Sequence, residues 1–266
     1  MSVRLTDWNW EPSILLGLAL LVGAYLGAIG PWRARFQSSE KTERAQITFF
    51  LLGAFTLFIA LVSPLDEWSD HYLFSAHMVQ HILLTLIAPP LLLIGTPGWM
   101  LRPLLRFPAV ARVARTLTLP VVAFALFNLD FAIWHLPAFY EATLENNTLH
   151  IVEHLLFMAT GVLNWWPLLG SLKELPRLPA PAQILYLFLE AVPATILGAV
   201  FVFAPSPLYP TYVNAPRVFG ISAADDQILS GLIMAMPGAM IYLGALSVVF
   251  FVWLDREEHA ERNQAA

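Results

Sequence analysis

Cysteine is absent from this chain of 266 residues. That excludes disulfide scaffolds and thiolate metal sites, so any metal must be held by histidine, methionine or carboxylate. Charge is scarce as well. Asp, Glu, Lys and Arg make up 12% of the residues, about half the usual share of a soluble domain. The basic residues form no stripe of the kind a nucleic-acid surface needs, so nucleic acid is not an expected partner. The net charge of −5 constrains little, because in such a chain the placement of charge matters more than its sum. Low-complexity tracts and domain boundaries are also lacking.

What remains is apolar. Hydrophobic residues make up 58% of the chain, and the mean hydropathy is +0.66. A membrane-spanning helix needs about 20 mostly apolar residues. Seven stretches qualify: residues 12–32, 45–65, 72–96, 116–136, 148–169, 181–204 and 227–254. The expected fold is all-α, a polytopic membrane protein forming one transmembrane domain over residues 1–266. Its seven helices would be embedded in the lipid bilayer. The Pro89-Pro90 and Pro237-Gly238 steps are expected to kink or break the third and seventh helices. Arg4 is followed by Asp7 and Glu11, and the first apolar run is too long for a signal-peptide core, so a retained helix is expected there.

The basic residues divide sharply between the loops. Arg33, Arg35, Lys41, Arg44, Arg102, Arg106, Arg112, Arg115, Lys173, Arg177, Arg256 and Arg262 fall on one side of a seven-helix bundle. Arg4 and Arg217 fall on the other, with Asp66, Glu67, Asp70, Glu141 and Glu145. The positive-inside rule then puts the N-terminus outside and the C-terminus in the cytoplasm.

Within this frame the ionisable residues of the helices collect at the outer edge. His77 and His81 lie in the first turns of the third helix, and His150 and His154 in the first turns of the fifth. His135 lies at the outer end of the fourth, with Asp130 deeper, and His71 lies in an outer loop. Residues four apart share a helix face and sit about 6 Å apart along the axis. A single intramembrane histidine usually serves as an interhelical hydrogen-bond donor, but two such pairs at one depth point to a shared ligand.

His77, His81, His150 and His154 are therefore the candidate metal ligands. His135, Asp130, Met158, His71 and Asp226 are possible further ligands or supports. Glu153 is expected beside the His150–His154 column rather than on it. Copper, zinc and iron all suit imidazole, and a nearby thioether such as Met158 favours copper(I). Heme would need one opposed histidine from each of two helices, which makes the pairs redundant. "HIVEH" (150–154) also fits H-x-x-E-H, with Glu153 as general base of a zinc-dependent hydrolase. Copper binding at the outer face is the leading reading and zinc the alternative.

Three segments carry a family resemblance: "SPLDEWSDHYLFSAHMVQHILLTLIAPPLLLIGTP" (63–97), "IWHLPAFYEATLENNTLHIVEHLLFMATGVLNWWPLLG" (133–170) and "DQILSGLIMAMPG" (226–238). The chain resembles the CtaG-like, seven-helix cytochrome c oxidase assembly factors of bacterial plasma membranes. In the third segment, Ser230-Gly231 and Ala235 stand where the family tends to have paired glycines and an aromatic. The resemblance implies a non-enzymatic, multi-pass plasma-membrane protein that supports copper insertion into a heme–copper oxidase. A cytochrome c oxidase subunit or another copper-handling protein would be its partner at the outer face. It also implies that His77, His81, His135, His150 and His154 occupy the family's histidine positions.

Overall fold

The computed structural model describes residues 6–36, 40–175 and 177–265. Arg4, counted in the charge asymmetry, lies outside the described residues. The described residues are helical throughout their regular structure, with no strand. The principal helices are α1 (Pro12–Ile29), α2 (Arg44–Val62), α3 (Pro64–His71), α4 (Phe74–Gly95), α5 (Pro108–Leu117), α6 (Pro120–Trp134), α7 (Pro137–Glu145), α8 (Asn147–Leu169), α9 (Ala180–Phe203), α10 (Pro210–Asn214) and α11 (Ala223–Ala265). Five of them, α1, α2, α4, α9 and α11, are long and apolar enough to cross a membrane. The pair α5 and α6, bent by 72°, makes a sixth if read as one span. The expected stretch 148–169 is the 23-residue helix α8, about 35 Å long at 1.5 Å per residue. Its length suffices, but His150, Glu153, His154 and Asn164 dilute its hydropathy.

The distribution of side chains is inverted relative to a water-soluble fold. Val121 and Phe203 are 80% and 83% exposed, whereas His77, Gln80 and Ser230 are fully buried. Helices apolar on their outward face and polar within need hydrocarbon around them.

Local chemistry explains where the elements begin. Ser63 caps α3 by accepting a hydrogen bond from the Leu65 N–H, and Pro64 occupies its first position. A proline there loses nothing, because that N–H has no intrahelical partner. The second expected helix thus ends at Val62, and the acidic residues that follow form a separate short helix.

Neither proline step breaks its helix. α4 is not broken at Pro89-Pro90; it passes through a π-helical stretch at Leu83–Ile87. Pro89 has no N–H to give the Thr85 carbonyl, and the Trp165 indole donates to that carbonyl instead at 3.2 Å. α11 runs through Pro237 without interruption.

α9 and α11 pack through glycines. A Cβ on Gly198 would lie 2.6 Å from the Gly231 carbonyl oxygen, and a Cβ on Gly231 would lie 2.5 Å from that of Gly198. Small residues let membrane helices approach at backbone distance, which gives Gly231 a packing role whatever its neighbours are. Replacing Gly198 with Val should force the two backbones apart and cost about 1–3 kcal/mol. Thermal unfolding of the purified protein in detergent measures this, and an unchanged midpoint would show that the close approach is dispensable.

Candidate metal centre

The histidine-bearing segments converge at one end of the bundle. His77 and His81 lie in the first two turns of α4, His150 and His154 in the first two turns of α8, and His135 caps the C-terminus of α6. The rings of each pair meet at a steep angle, 62° for His77 and His81 and 59° for His150 and His154. The ring centroids of His77 and His81 are 4.1 Å apart, and those of His150 and His154 are 4.3 Å apart. Across the helices, the His81 ring is 6.1 Å from His154 and 5.8 Å from His135.

Glu153 joins the two pairs. It is fully buried, and one of its oxygens lies 3.8 Å from Nε2 of His81. Two triads of donor atoms result, His77–His81–Glu153 and His150–Glu153–His154, each with its atoms within 4.8 Å of one another. Among the described residues, no comparably tight group contains all four paired histidines. The glutamate expected beside the column is the residue the two triads share. Sequence spacing on α8 gave its neighbours, but only the packing of α8 against α4 reveals what it faces.

The donor atoms of the inner triad have no hydrogen-bond partner among the described residues. Both ring nitrogens of His77 and His81, Nε2 of His135 and both oxygens of Glu153 are buried without a hydrogen-bond partner among the described residues. Leaving such a group unsatisfied costs about 1–3 kcal/mol, so a buried set of this kind calls for an explanation. The donors are imidazole and carboxylate, a set that fits copper(II) or zinc. His150 and His154 are engaged with each other, Nε2 to Nε2 at 3.1 Å. Asp70 lies 3.5 Å from the other nitrogen of His150.

The remaining candidates have separate duties. Asp130 accepts from the Trp134 indole and the Thr160 hydroxyl, both at 2.8 Å, which ties α6 to α8. Asp226 accepts from the backbone N–H groups of Phe74 at 2.7 Å and Ser75 at 3.1 Å. It therefore caps α4 from across the bundle, three residues before His77. Met158 packs among apolar side chains of α1, α2 and α4. His71 is exposed and sits 3.9 Å from Glu67. His135 gives Nδ1 to the Phe131 carbonyl at 2.7 Å, which leaves its buried Nε2 without a hydrogen-bond partner among the described residues.

Tyrosines hold the short helices over the cluster. Tyr212 donates to the Ser69 carbonyl at 2.6 Å, Tyr140 and Tyr212 share a 2.7 Å hydrogen bond, and Tyr209 donates to the His135 carbonyl at 2.8 Å. The Tyr140 ring lies 5.0 Å from His77, so the inner triad has an aromatic roof. The outer triad borders a polar cavity of about 190 Å³ lined by Asn9, Asp66, Asp70, His150 and His154. A second cavity, of about 40 Å³, extends from His81 and His135 toward Asn128, Glu190 and Tyr242. There Glu190 accepts from Asn128 at 3.2 Å.

Asp66 bonds Asn9 at 2.7 Å and Gln80 at 2.8 Å. Nothing local in the sequence marked Gln80 or the acids of α3 as neighbours of the histidines. Burial pushes the Asp66 carboxyl up to about 7, reinforced by Asp70, and burial raises Asp70 to about 6.

Taken together, fold and site define a helical membrane protein with a buried histidine–carboxylate cluster at one end of its bundle. The chain belongs to the cytochrome c oxidase caa3 assembly factor (Caa3_CtaG) family, whose profile matches residues 23–256. It is 25% identical over 246 residues to "Uncharacterized protein Mb0105" of Mycobacterium bovis and to "Uncharacterized protein MT0111" of Mycobacterium tuberculosis. The alignment covers 85% of this chain and 36% of each relative, so the chain spans about a third of their length. No solved structure matches it.

Two predictions rest on these side chains. Removing the cap with Asp226→Ala should destabilise α4 by about 1–2 kcal/mol, read as a lower unfolding midpoint in detergent; no change would show that the cap is immaterial. The raised carboxyl of Asp66 gives the second. Between the ordinary aspartate value and about 7, the folded protein binds the proton more tightly than the unfolded chain, so stability falls as pH rises through that window. Asp66→Asn should flatten this decline between pH 5 and 8. Parallel curves for wild type and variant would contradict the assignment.

Proposed function

We propose that this chain is a non-catalytic assembly factor for a heme–copper cytochrome c oxidase, one that binds copper as cargo in the histidine–carboxylate cluster. It would support insertion of that copper into an oxidase subunit. Family membership supports the oxidase-assembly role. The observation that carries the copper reading is the set of buried imidazole and carboxylate atoms of His77, His81 and Glu153 that have no hydrogen-bond partner, next to the His150–His154 pair. A purely structural polar cluster would use those atoms to join helices, as Asp130 and Thr160 do.

The topology belongs to the same proposal. With α8 and the bent α5–α6 pair counted, seven spans cross a bacterial plasma membrane, the N-terminus outside and the C-terminus cytoplasmic. The segregation of twelve Lys and Arg residues into alternate loops supports this orientation. The cluster then opens to the outer face, where an oxidase subunit or another copper-handling protein would meet it.

A zinc-dependent hydrolase is the second reading, favoured by the compact His150–Glu153–His154 group. There Glu153 would act as a base rather than a ligand. Copper and zinc analysis of protein purified from metal-supplemented cells separates the readings. The assembly-factor account expects bound copper in the wild type and a fall to trace levels in His77→Ala/His154→Ala. Equal trace copper in both would refute it. Tightly bound zinc, retained in Glu153→Gln together with loss of a hydrolytic activity, would favour the hydrolase.

A further inference from the structure

The cluster was expected as one site bounded by four histidines. Its geometry divides differently, into an outer triad of His150, His154 and Glu153 and an inner triad of His77, His81 and Glu153. Glu153 is the common member, and it offers two oxygens, neither engaged in a hydrogen bond with a described residue. A carboxylate can give one oxygen to each of two ions, or pass from one ligand set to the other.

The surroundings of the two triads also differ. The outer triad borders the polar cavity of about 190 Å³, whose rim includes the exposed residues Glu11, Ser13 and Asn147. Asp66 and Asp70 line the same cavity, so carboxylates and the outer imidazoles face one polar space. The inner triad meets only a smaller space among the described cavities, the one of about 40 Å³ that His81 borders with His135 and Glu190. His77 and Glu153 are fully buried and His81 is 6% exposed, beneath the rings of Phe74 and Tyr140. Its neighbour toward the cavity is the outer triad.

We infer that the cluster is two metal sites in series, an entry site of His150, His154 and Glu153 and a buried site of His77, His81 and Glu153, with Glu153 as the shared ligand. The inference rests on the metal-binding reading proposed above and deepens it. Three protein ligands leave a coordination position open, which suits a cation that must be taken up and released. The donors of both triads are imidazole nitrogen and carboxylate oxygen, a set that suits a divalent first-row ion. Copper(II) heads the affinity order for such donors. Ligand atoms about 2 Å from a metal lie roughly 3.3 Å apart in a tetrahedral site. The 4.8 Å limit of each triad thus closes with side-chain rotation of roughly 1 Å or more.

The test is equilibrium and time-resolved binding of copper(II) to the metal-free full-length protein in detergent, with zinc(II) as a second probe. Circular dichroism and thermal unfolding verify that each variant is folded. Wild type should bind two ions per chain. His77→Ala/His81→Ala should bind one, at the wild-type rate of the first phase. His150→Ala/His154→Ala should also bind one, but at least 10-fold more slowly, because the entry site is gone. Glu153→Gln, close to isosteric, should weaken both ions by 10-fold or more. Wild-type binding of a single ion, lost on changing either histidine pair, would overturn the two-site arrangement while leaving the metal reading intact. A wild type that binds no ion would overturn both. Two ions retained at full affinity in Glu153→Gln would exclude a shared ligand.

Discussion

A buried carboxylate set between two pairs of imidazoles is the constraint on which this structure turns. Glu153 is fully buried at the end of a helix bundle, where neither its oxygens nor the ring nitrogens of His77 and His81 find a hydrogen-bond partner among the described residues. In a medium without water every unsatisfied polar group costs several kcal/mol. On the metal-binding proposal, a bound ion offsets that cost. A multi-dentate cation satisfies imidazole nitrogens and carboxylate oxygens at once, which neighbouring helices here do not.

The rest of the fold holds that end of the bundle in register. Asp226 from α11 caps the start of α4, fixing the turn from which His77 and His81 project. The π-helical stretch at Leu83–Ile87, and the Trp165 indole that takes the carbonyl left by Pro89, lock α4 against α8. π-helical turns recur near functional sites because they re-aim the side chains beside them. Thr160 and Asp130 tie α8 to α6, and Gly198 and Gly231 let α9 and α11 close around the far side. The tyrosines of α7 and α10 then seal the inner triad, while the polar cavity beside Asp66 and Asp70 leaves the outer one approachable.

Much of this was legible in the sequence, for identifiable reasons. Long apolar runs announce helices whatever surrounds them, and residues four apart must share a face, so the two histidine pairs could be read directly. Their common end of the bundle followed from helix order. What the sequence could not show depends on contacts between helices. Glu153 sits between its two histidines in the chain, yet its position between α4 and α8 arises from how those helices meet. Asp226 and Asp130 looked like possible ligands because their residue type fits; their oxygens are taken by backbone N–H groups, an indole and a hydroxyl. Met158 shares the histidine column by periodicity but packs into an apolar cluster. Pro89-Pro90 suggested a break because proline removes a helical hydrogen bond, while the compensating donor, Trp165, lies on another helix.

The central claim is that imidazole and carboxylate of this cluster together ligate copper. X-ray absorption spectroscopy of the copper-loaded, purified protein tests it most directly. The account predicts a first shell of nitrogen and oxygen atoms, the multiple-scattering pattern of several imidazoles, and no sulfur. A sulfur-containing shell, or a spectrum of hydrated copper without imidazole scattering, would contradict it.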